Sequence, residues 1–533
     1  MRKTFQLLLF ALMLVIGWIV PSSAFSQSAD MELVKSRIRQ NLSTGLSSVT
    51  TIQGYQSTLQ TNGTWTDIDY TSTAQTNWPP RIHLERIRAM SKTYVWGSLQ
   101  GDTSLREAIL KAYDAWITKD PQSTNWWYQS ISTPQVLGET LMILGSEVST
   151  TRLNSGLPLV ARAYVARATN SGTNTGANRG DRAYASMMRG LLANDSALTS
   201  ESFLAMGDTI LLNSANAFAE GIQADGSFQQ HGAQLYVGGY GYGYLSGLLK
   251  YSGWGAGTAY GFSPLQKRVL LDHLLDGPQW FIRGNTMEYT STGRGLSRSG
   301  STSSALGFGN VVNDALATSG GYRSAELTAF QQRMAATTSA GAAVPSSALV
   351  GNRNFWRADA MVHHRPGFSI SVKTSSTRTL QPESGNGEGL KNLHLSDGVT
   401  LIQRTGNEYD DLMPVWDWRR LPGTTVEQGT YSLKPSADWG VYGTSTHAGG
   451  ASDGQDGIAD FNYSRLGVAA KKACSLLKVC ASSPRHSTQA GRPTCSGFHP
   501  KAPGIRSLRH WLPQQKPMAA KCSGSTASFA PAA

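Results

Sequence analysis

The first 473 residues contain no cysteine, and residues 473–533 contain no aspartate or glutamate. The first absence excludes disulfides, thiolate metal sites and a cysteine nucleophile from most of the chain. The second coincides with a change of character. All four cysteines (Cys474, Cys480, Cys495 and Cys522) and eight lysines or arginines fall in that acid-free tail. Taking those eight charges from the total of +12 leaves +4 for the body, which is unremarkable for its size. Affinity for a polyanion must therefore be argued from local residues and not from the overall charge. The tail reads as the product of a frame shift near residue 473 rather than as an evolved domain, with a genuine basic appendage as the alternative. There is no repeat of fixed period, and after the N-terminal region no second long apolar run.

That N-terminal region has Arg2 and Lys3 ahead of the apolar run Leu7–Val20, then the small residues Pro21, Ser22, Ser23 and Ala24. Residues 1–30 thus read as a secretory signal, which places the protein outside the cell or in a periplasm. The remaining length exceeds one core, so two or more domains are expected. Fourteen tryptophans and 19 tyrosines are ample for packing, and in an exported protein they hint weakly at carbohydrate.

From 31 to 340 the apolar spacing is helical, as in Leu105–Trp116 and in stretches at 83–97, 134–145, 157–167, 181–193, 202–219 and 265–282. Such a series suggests an incomplete α/α toroid or a solenoid of helical hairpins. Gly341–Ala348 reads as a linker, and short alternating runs follow it, such as Ala360–His364 and Phe368–Lys373. The fold class is therefore α+β: a helical domain at 31–340, then at 341–472 the start of an antiparallel β-sandwich that looks incomplete.

Four segments carry polar or aromatic residues that packing does not explain. Asn125-Trp126-Trp127 leads into a helix; two adjacent tryptophans cannot both face one core, unless they plug a gap between helices. Asn178 sits at a helix start, where capping is its common role. Asp225–Tyr244 is dense in glycine around His231 and Tyr240, a poor core and a poor helix, better suited to a ligand pressed against the backbone. Arg294 and Arg298 lie in a Gly/Ser loop that suits carboxylate or sulfate, or simply solvent.

In this order and spacing the segments resemble the polysaccharide lyases that include chondroitin AC lyase, hyaluronate lyase and xanthan lyase. The likeness continues through Asn386-Gly-Glu388, Leu395–Gly398, Met413–Trp418 and Pro422–Thr425, over about residues 80 to 470. Gln230–Leu235 and Ile131–Gly138 look most like chondroitin AC lyase. The resemblance implies β-elimination on a glycosaminoglycan, chondroitin sulfate or hyaluronan, by a monomer that needs no cofactor. A structural calcium stays open, and no nucleic acid or membrane partner is implied.

The resemblance further implies that Tyr240 takes the C5 proton of a uronate and returns one to the leaving oxygen, with His231 assisting. Asn178 would bind the uronate carboxylate and Arg294 would lie against Tyr240. Glu388 would orient the His and Arg side chains from the β domain. Arg298, Asn125, Trp126 and Trp127 would hold the sugars, with Trp439 a weaker candidate. Gly389 departs from the pattern, where an asparagine often follows the glutamate. These residue types suit the chemistry. Removing a proton beside an ionised carboxylate piles up negative charge, which an amide and arginines can stabilise, and a tyrosine of pKa about 10 needs cations nearby to act as a base. Competing readings are a xanthan-type lyase, a truncated chain that binds glycans without cutting them, and a hydrolase using Glu139 and Asp225 as a carboxylate pair.

Overall fold

The computed structural model describes residues 22–212, 219–336, 348–409, 412–466, 468–477, 521–524 and 528–529. Residues 1–21 of the expected signal, the expected linker up to residue 347, and Cys480 and Cys495 lie outside them. Among the described residues there are twelve α-helices: α1 Ser22–Leu42, α2 Val49–Thr58, α3 Arg81–Trp96, α4 Thr103–Lys119, α5 Thr133–Leu144, α6 Thr150–Val160, α7 Gly176–Leu192, α8 Ser196–Asp208, α9 Tyr242–Gly255, α10 Pro264–Asp276, α11 Ser304–Thr318 and α12 Ser324–Ala336. None is long and apolar enough to cross a membrane.

Local chemistry sets the ends of these helices. Asp102, Ser149 and Asp195 each accept a hydrogen bond from a first-turn amide of α4, α6 and α8, and Ser263 with Gln266 forms a capping box on α10. Neighbouring helices pair in hairpins, α3 with α4 and α7 with α8, and α7 also packs on α5 and α9. Helix α7 is buried over almost its whole length, from Ala177 to Leu191, so its N-terminal turn is held rigidly. Two expected stretches end early. The run at 157–167 is helical only to Val160, with a 3₁₀ turn to Ala163, because the polar Thr169–Thr175 segment supplies no apolar face to continue it. The run at 202–219 stops at Asp208, and residues 213–218 lie outside the described set.

Two short hairpins interrupt the helices: β1 Gly221–Ile222 with β2 Phe228–Gln229, and β3 Ile282–Arg283 with β4 Thr286–Met287. The β part follows. Strands β5 Gly351–Phe355, β6 Ala360–Arg365, β7 Phe368–Lys373 and β8 Val399–Gln403 form an antiparallel meander. A second antiparallel sheet contains β9 Ala448–Ser452, β10 Gly457–Arg465 and β11 Val468–Leu476. Strands β12 Lys521–Gly524 and β13 Ser528–Phe529 pair with β11. The two sheets close on Met361, Ile370, Val372, Ala459 and Leu476.

The first sheet docks on the helical domain through apolar contacts, with Phe355 and Val362 joining the helical core beside Phe281, and through polar ones. Gln229 Nε2 donates to Arg357 O (2.9 Å), Arg357 N to Asp225 (2.6 Å), Ser371 Oγ to Glu288 (3.0 Å) and Leu380 N to Ala233 O (3.0 Å). Each polar contact starts from the hairpins and loops that surround His231 and Arg294, so the docking seam and the candidate site coincide.

Candidate active site

After β2 the chain turns through Gln230–Tyr236 into a wide π-helical turn, Val237–Gly241, which runs directly into α9. The glycines here make room for protein rather than for ligand. A Cβ on Gly238 would meet Met287 and Thr292 at 2.6 and 2.7 Å, and one on Gly239 would meet the Tyr236 ring at 2.6 Å. The loop is stitched to α7 by Glu220, which accepts from Thr175 Oγ1 (2.6 Å), Gln230 Nε2 (2.5 Å) and Gly232 N (2.9 Å). Gln230 Oε1 in turn accepts from Ala177 N (2.9 Å). The start of α7, with Asn178, is thereby tied to His231.

Glu383 is the centre of the cluster. Its carboxylate is fully buried and accepts from His231 Nδ1 (2.7 Å), from Arg294 Nη1, from Gln234 Nε2 (3.2 Å) and from the Tyr236 hydroxyl (3.2 Å). Its backbone is pinned as well: Glu383 N donates to Gln234 Oε1 (2.8 Å) and Asn392 Nδ2 donates to Glu383 O (2.9 Å). Burial pushes this carboxyl up, but His231 and Arg294 outweigh it and hold the pKa below the usual range. An ionised carboxylate can only accept, so Nδ1 carries the imidazole proton. In the neutral ring Nε2 is then a lone-pair acceptor.

Tyr240 packs edge-on against His231, with centroids 4.8 Å apart, and against Tyr236 at 5.0 Å. Burial raises its pKa, while the charge and hydrogen bond of Arg294 lower it; the net shift is upward. The unliganded site therefore holds a neutral phenol at physiological pH. Arg294 is disfavoured by burial but held cationic above its usual value by Tyr236, Glu383 and Tyr240.

Glu388 forms an ion pair with Arg294 Nε (3.3 Å) and takes two hydrogen bonds from Arg298, Nε at 2.6 Å and Nη2 at 2.7 Å. It therefore orients the arginines, as the sequence suggests, but it does not orient His231. That partner is Glu383, five residues earlier, which the sequence reading passed over. The signal available was the acidic residue of the segment Gln381-Pro-Glu383, just ahead of Asn386. Gly389 explains its own departure from the pattern. It has φ +68°, and a Cβ there would lie 2.4 Å from Glu383 O and 2.8 Å from Asn392 Nδ2, so Asn392 supplies an amide next to the site where an asparagine at 389 could not fit.

Asn178 is buried, and its Oδ1 has no hydrogen-bond partner; it caps nothing. Trp126 is 38% exposed with Arg182 over its ring at 5.1 Å, whereas Trp127 packs edge-on against Tyr128 at 5.4 Å. Asn125 uses its side chain on neighbouring backbone, donating to Gln75 O of an adjacent loop (2.9 Å) and accepting from Trp127 N of its own (3.1 Å). Trp439, 46% exposed, lies 5.4 Å from His231 edge-on and carries Arg294 over its ring at 5.1 Å, closer to the cluster than the sequence implied. Thr76 Oγ1 reaches across to Asn386 O (3.0 Å). A groove of about 690 Å³ along α4 shares no lining residue with this cluster. Among the described residues no three His, Cys, Asp or Glu side chains gather as a metal site.

Residues 23–329 match the family model for polysaccharide lyase family 8, N terminal alpha-helical domain, and residues 350–480 match that family's super-sandwich domain. The chain belongs to polysaccharide lyase family 8. It is 31% identical over 450 residues to a chondroitinase-AC of Pedobacter heparinus, covering 84% of this chain and 63% of that protein. A hyaluronate lyase of Thermasporomyces composti is 26% identical, covering 71% and 52%, and a xanthan lyase of a Bacillus species is 26% identical, covering 68% and 43%. A chondroitinase AC lyase solved with oligosaccharides superposes with a TM-score of 0.77 at 29% identity, over 84% of this chain and 65% of that one. This lyase-family chain thus spans less than two thirds of the length of these relatives. Its helical domain followed by antiparallel sheets is the architecture that the superposition shares.

Proposed function

We propose that this chain is a secreted lyase that cleaves uronate-containing glycosaminoglycan, chondroitin sulfate or hyaluronan, by β-elimination. The observation that carries the reading is the set of four groups, Tyr240, His231, Arg294 and Glu383, on one buried seam, with the unpartnered Asn178 amide on the adjoining helix turn. Relatives named for chondroitin and hyaluronan support the substrate class. The signal at 1–30, the sandwich start at 341–472 and the monomeric state belong to the same proposal.

In the reaction a C5 proton leaves, the C4–O bond breaks, a C4=C5 double bond forms and the leaving oxygen is protonated. Asn178 and Arg294 stabilise charge growing on the uronate carboxylate. Tyr240 starts as a neutral phenol, so it must lose its proton before it can take one from C5. His231 Nε2, the ring nitrogen left free because Nδ1 faces Glu383, is the group to receive it. The phenol then serves as base to C5 and as acid to the leaving oxygen. Arg298, freed from Glu388, meets a sulfate or carboxylate farther along the polymer, and Trp126, Trp127 and Trp439 offer faces to the sugars. No step calls for a metal.

The hydrolase alternative finds no carboxylate pair. Asp225 is occupied by Ser227 and the Arg357 amide, and Glu139 by Arg88 and Tyr184. The test is ultraviolet absorbance of the protein with chondroitin sulfate, hyaluronan and xanthan in turn. A rise with the first two shows 4,5-unsaturated uronate and supports the reading. A rise with xanthan alone moves the chain to the xanthan branch. Binding without any rise leaves a glycan-binding protein.

A further inference from the structure

Helix α7 carries a second polar group on the face that presents Asn178. Arg182 lies four residues on, one turn along the same side of the helix. It is only 7% exposed, yet among the described residues no carboxylate lies within ion-pair distance of it. Its hydrogen bonds are two long ones, Nη1 to Ala163 O (3.4 Å) and Nη2 to Thr173 Oγ1 (3.2 Å), and Nε has no partner. The neighbouring Arg179, by contrast, is paired with Asp208 at 2.9 Å. The guanidinium lies 5.1 Å from the centre of the Trp126 ring, the more exposed of the two adjacent tryptophans. Burial lowers its pKa, with no anion to offset the cost.

We propose that Arg182 is a specificity-determining residue, which reads the negative charge of the sugar seated on Trp126. The inference rests on the lyase reading above. Four helical residues advance about 6 Å, comparable with one sugar unit. The row from Asn178 to Arg182 therefore places an amide at the uronate being cleaved and a cation behind the platform for a neighbouring one. With the ring between them, cation and ligand anion remain about 9 Å apart. Across an effective dielectric of about 20 that interaction corresponds to roughly a ten- to twentyfold change in affinity.

The experiment compares wild type, Arg182→Gln and Arg182→Lys in two assays. One is steady-state cleavage of hyaluronan. The other is calorimetric binding, in a Tyr240→Phe background, of hyaluronan oligosaccharides and of the same oligosaccharides after carboxyl reduction, which makes them neutral. The expected result is a KM raised about tenfold by Arg182→Gln with kcat changed far less, and a matching loss of preference for the charged over the reduced ligand. Arg182→Lys should restore most of that preference. If the Gln variant does not fold, Arg182→Met, which keeps an aliphatic stem against Trp126, supplies the comparison. Equal loss of affinity for charged and neutral oligosaccharides would show that Arg182 merely props the ring and would overturn the proposal, as would an unchanged KM. Absence of cleavage by wild type counts against the lyase reading alone, because binding in the Tyr240→Phe background still tests Arg182.

Discussion

The two halves contribute to the site by different means. In the helical half, His231 and Tyr240 stand on a turn that feeds α9, and Asn178 on the first turn of a helix buried almost throughout. These groups are positioned by an apolar core gathered around Met187, Phe228 and Leu245. In the β half, Glu383, Glu388 and Trp439 come from loops between strands, and polar bonds hold them in place. The interior of that half is correspondingly polar: Lys373 is buried, and burial lowers its pKa to about 8. Packing thus supplies most of the framework beneath His231 and Tyr240, while a hydrogen-bond lattice places the acids that orient His231, Arg294 and Arg298. A lattice fails differently from a core, because loss of one partner strands a charge instead of opening a cavity.

Substitutions can break this division of labour. The largest effect belongs to the helical half: Tyr240→Phe should lower kcat about 10³-fold or more and leave the melting temperature nearly unchanged. Glu383→Gln comes next, with kcat down about 10²-fold and stability down by about 3 kcal/mol, since Arg294 loses a buried counter-charge. Its urea midpoint and kcat should fall together; a variant that loses activity at full stability would contradict the lattice picture. Gly389→Asn follows, at about 2 kcal/mol, because it combines a left-handed backbone with a Cβ 2.4 Å from Glu383 O; proteolysis of the 383–392 loop would report it.

Acid tests both halves together. His83 and His273 in the helices and His364 in the sheet are buried, and burial lowers their pKa values to about 4, 4 and 3. The unfolded chain takes up these protons first. Stability should therefore begin to fall below about pH 6.5 and keep falling to about pH 4 and 3, by roughly 3 kcal/mol or more per imidazole once ionised. Melting curves between pH 7 and 4 would show it, and a flat profile would refute it. The smallest effect is Asn125→Ala, below about fivefold in KM, because this side chain braces its loop instead of reaching outward.

Much of the helical half was legible in the sequence because apolar periodicity and function lie on the same segments. The stretches at 83–97, 134–145 and 181–193 match α3, α5 and α7 within a turn or so. Tyr240, His231 and Arg294 are singled out by the family resemblance of their segments, and the structure brings the three side chains together. The β half was less so. Whether Glu383 or Glu388 faces His231 depends on a contact spanning 152 residues and on a left-handed Asn386 between the two acids, and neither leaves a periodic trace. The glycines around Tyr240 were read as space for a ligand, yet Met287, Thr292 and Tyr236 fill that space. Arg182 and Trp439 were overlooked or underrated, since ring contacts across such distances in sequence carry no local signature.

His231, Asn386 and Trp439 all have positive φ, at 56°, 53° and 68°. Each such residue costs on the order of 1 kcal/mol, and more for a ring as bulky as tryptophan. The loops that line the cleft are therefore the least comfortable parts of a well-packed molecule. On warming they should relax before the helices melt, so that turnover dies some degrees below the unfolding transition. Glycine at Asn386 would relieve that strain at little cost, whereas glycine at His231 would leave the buried Glu383 short of a partner and lose more than it relieves.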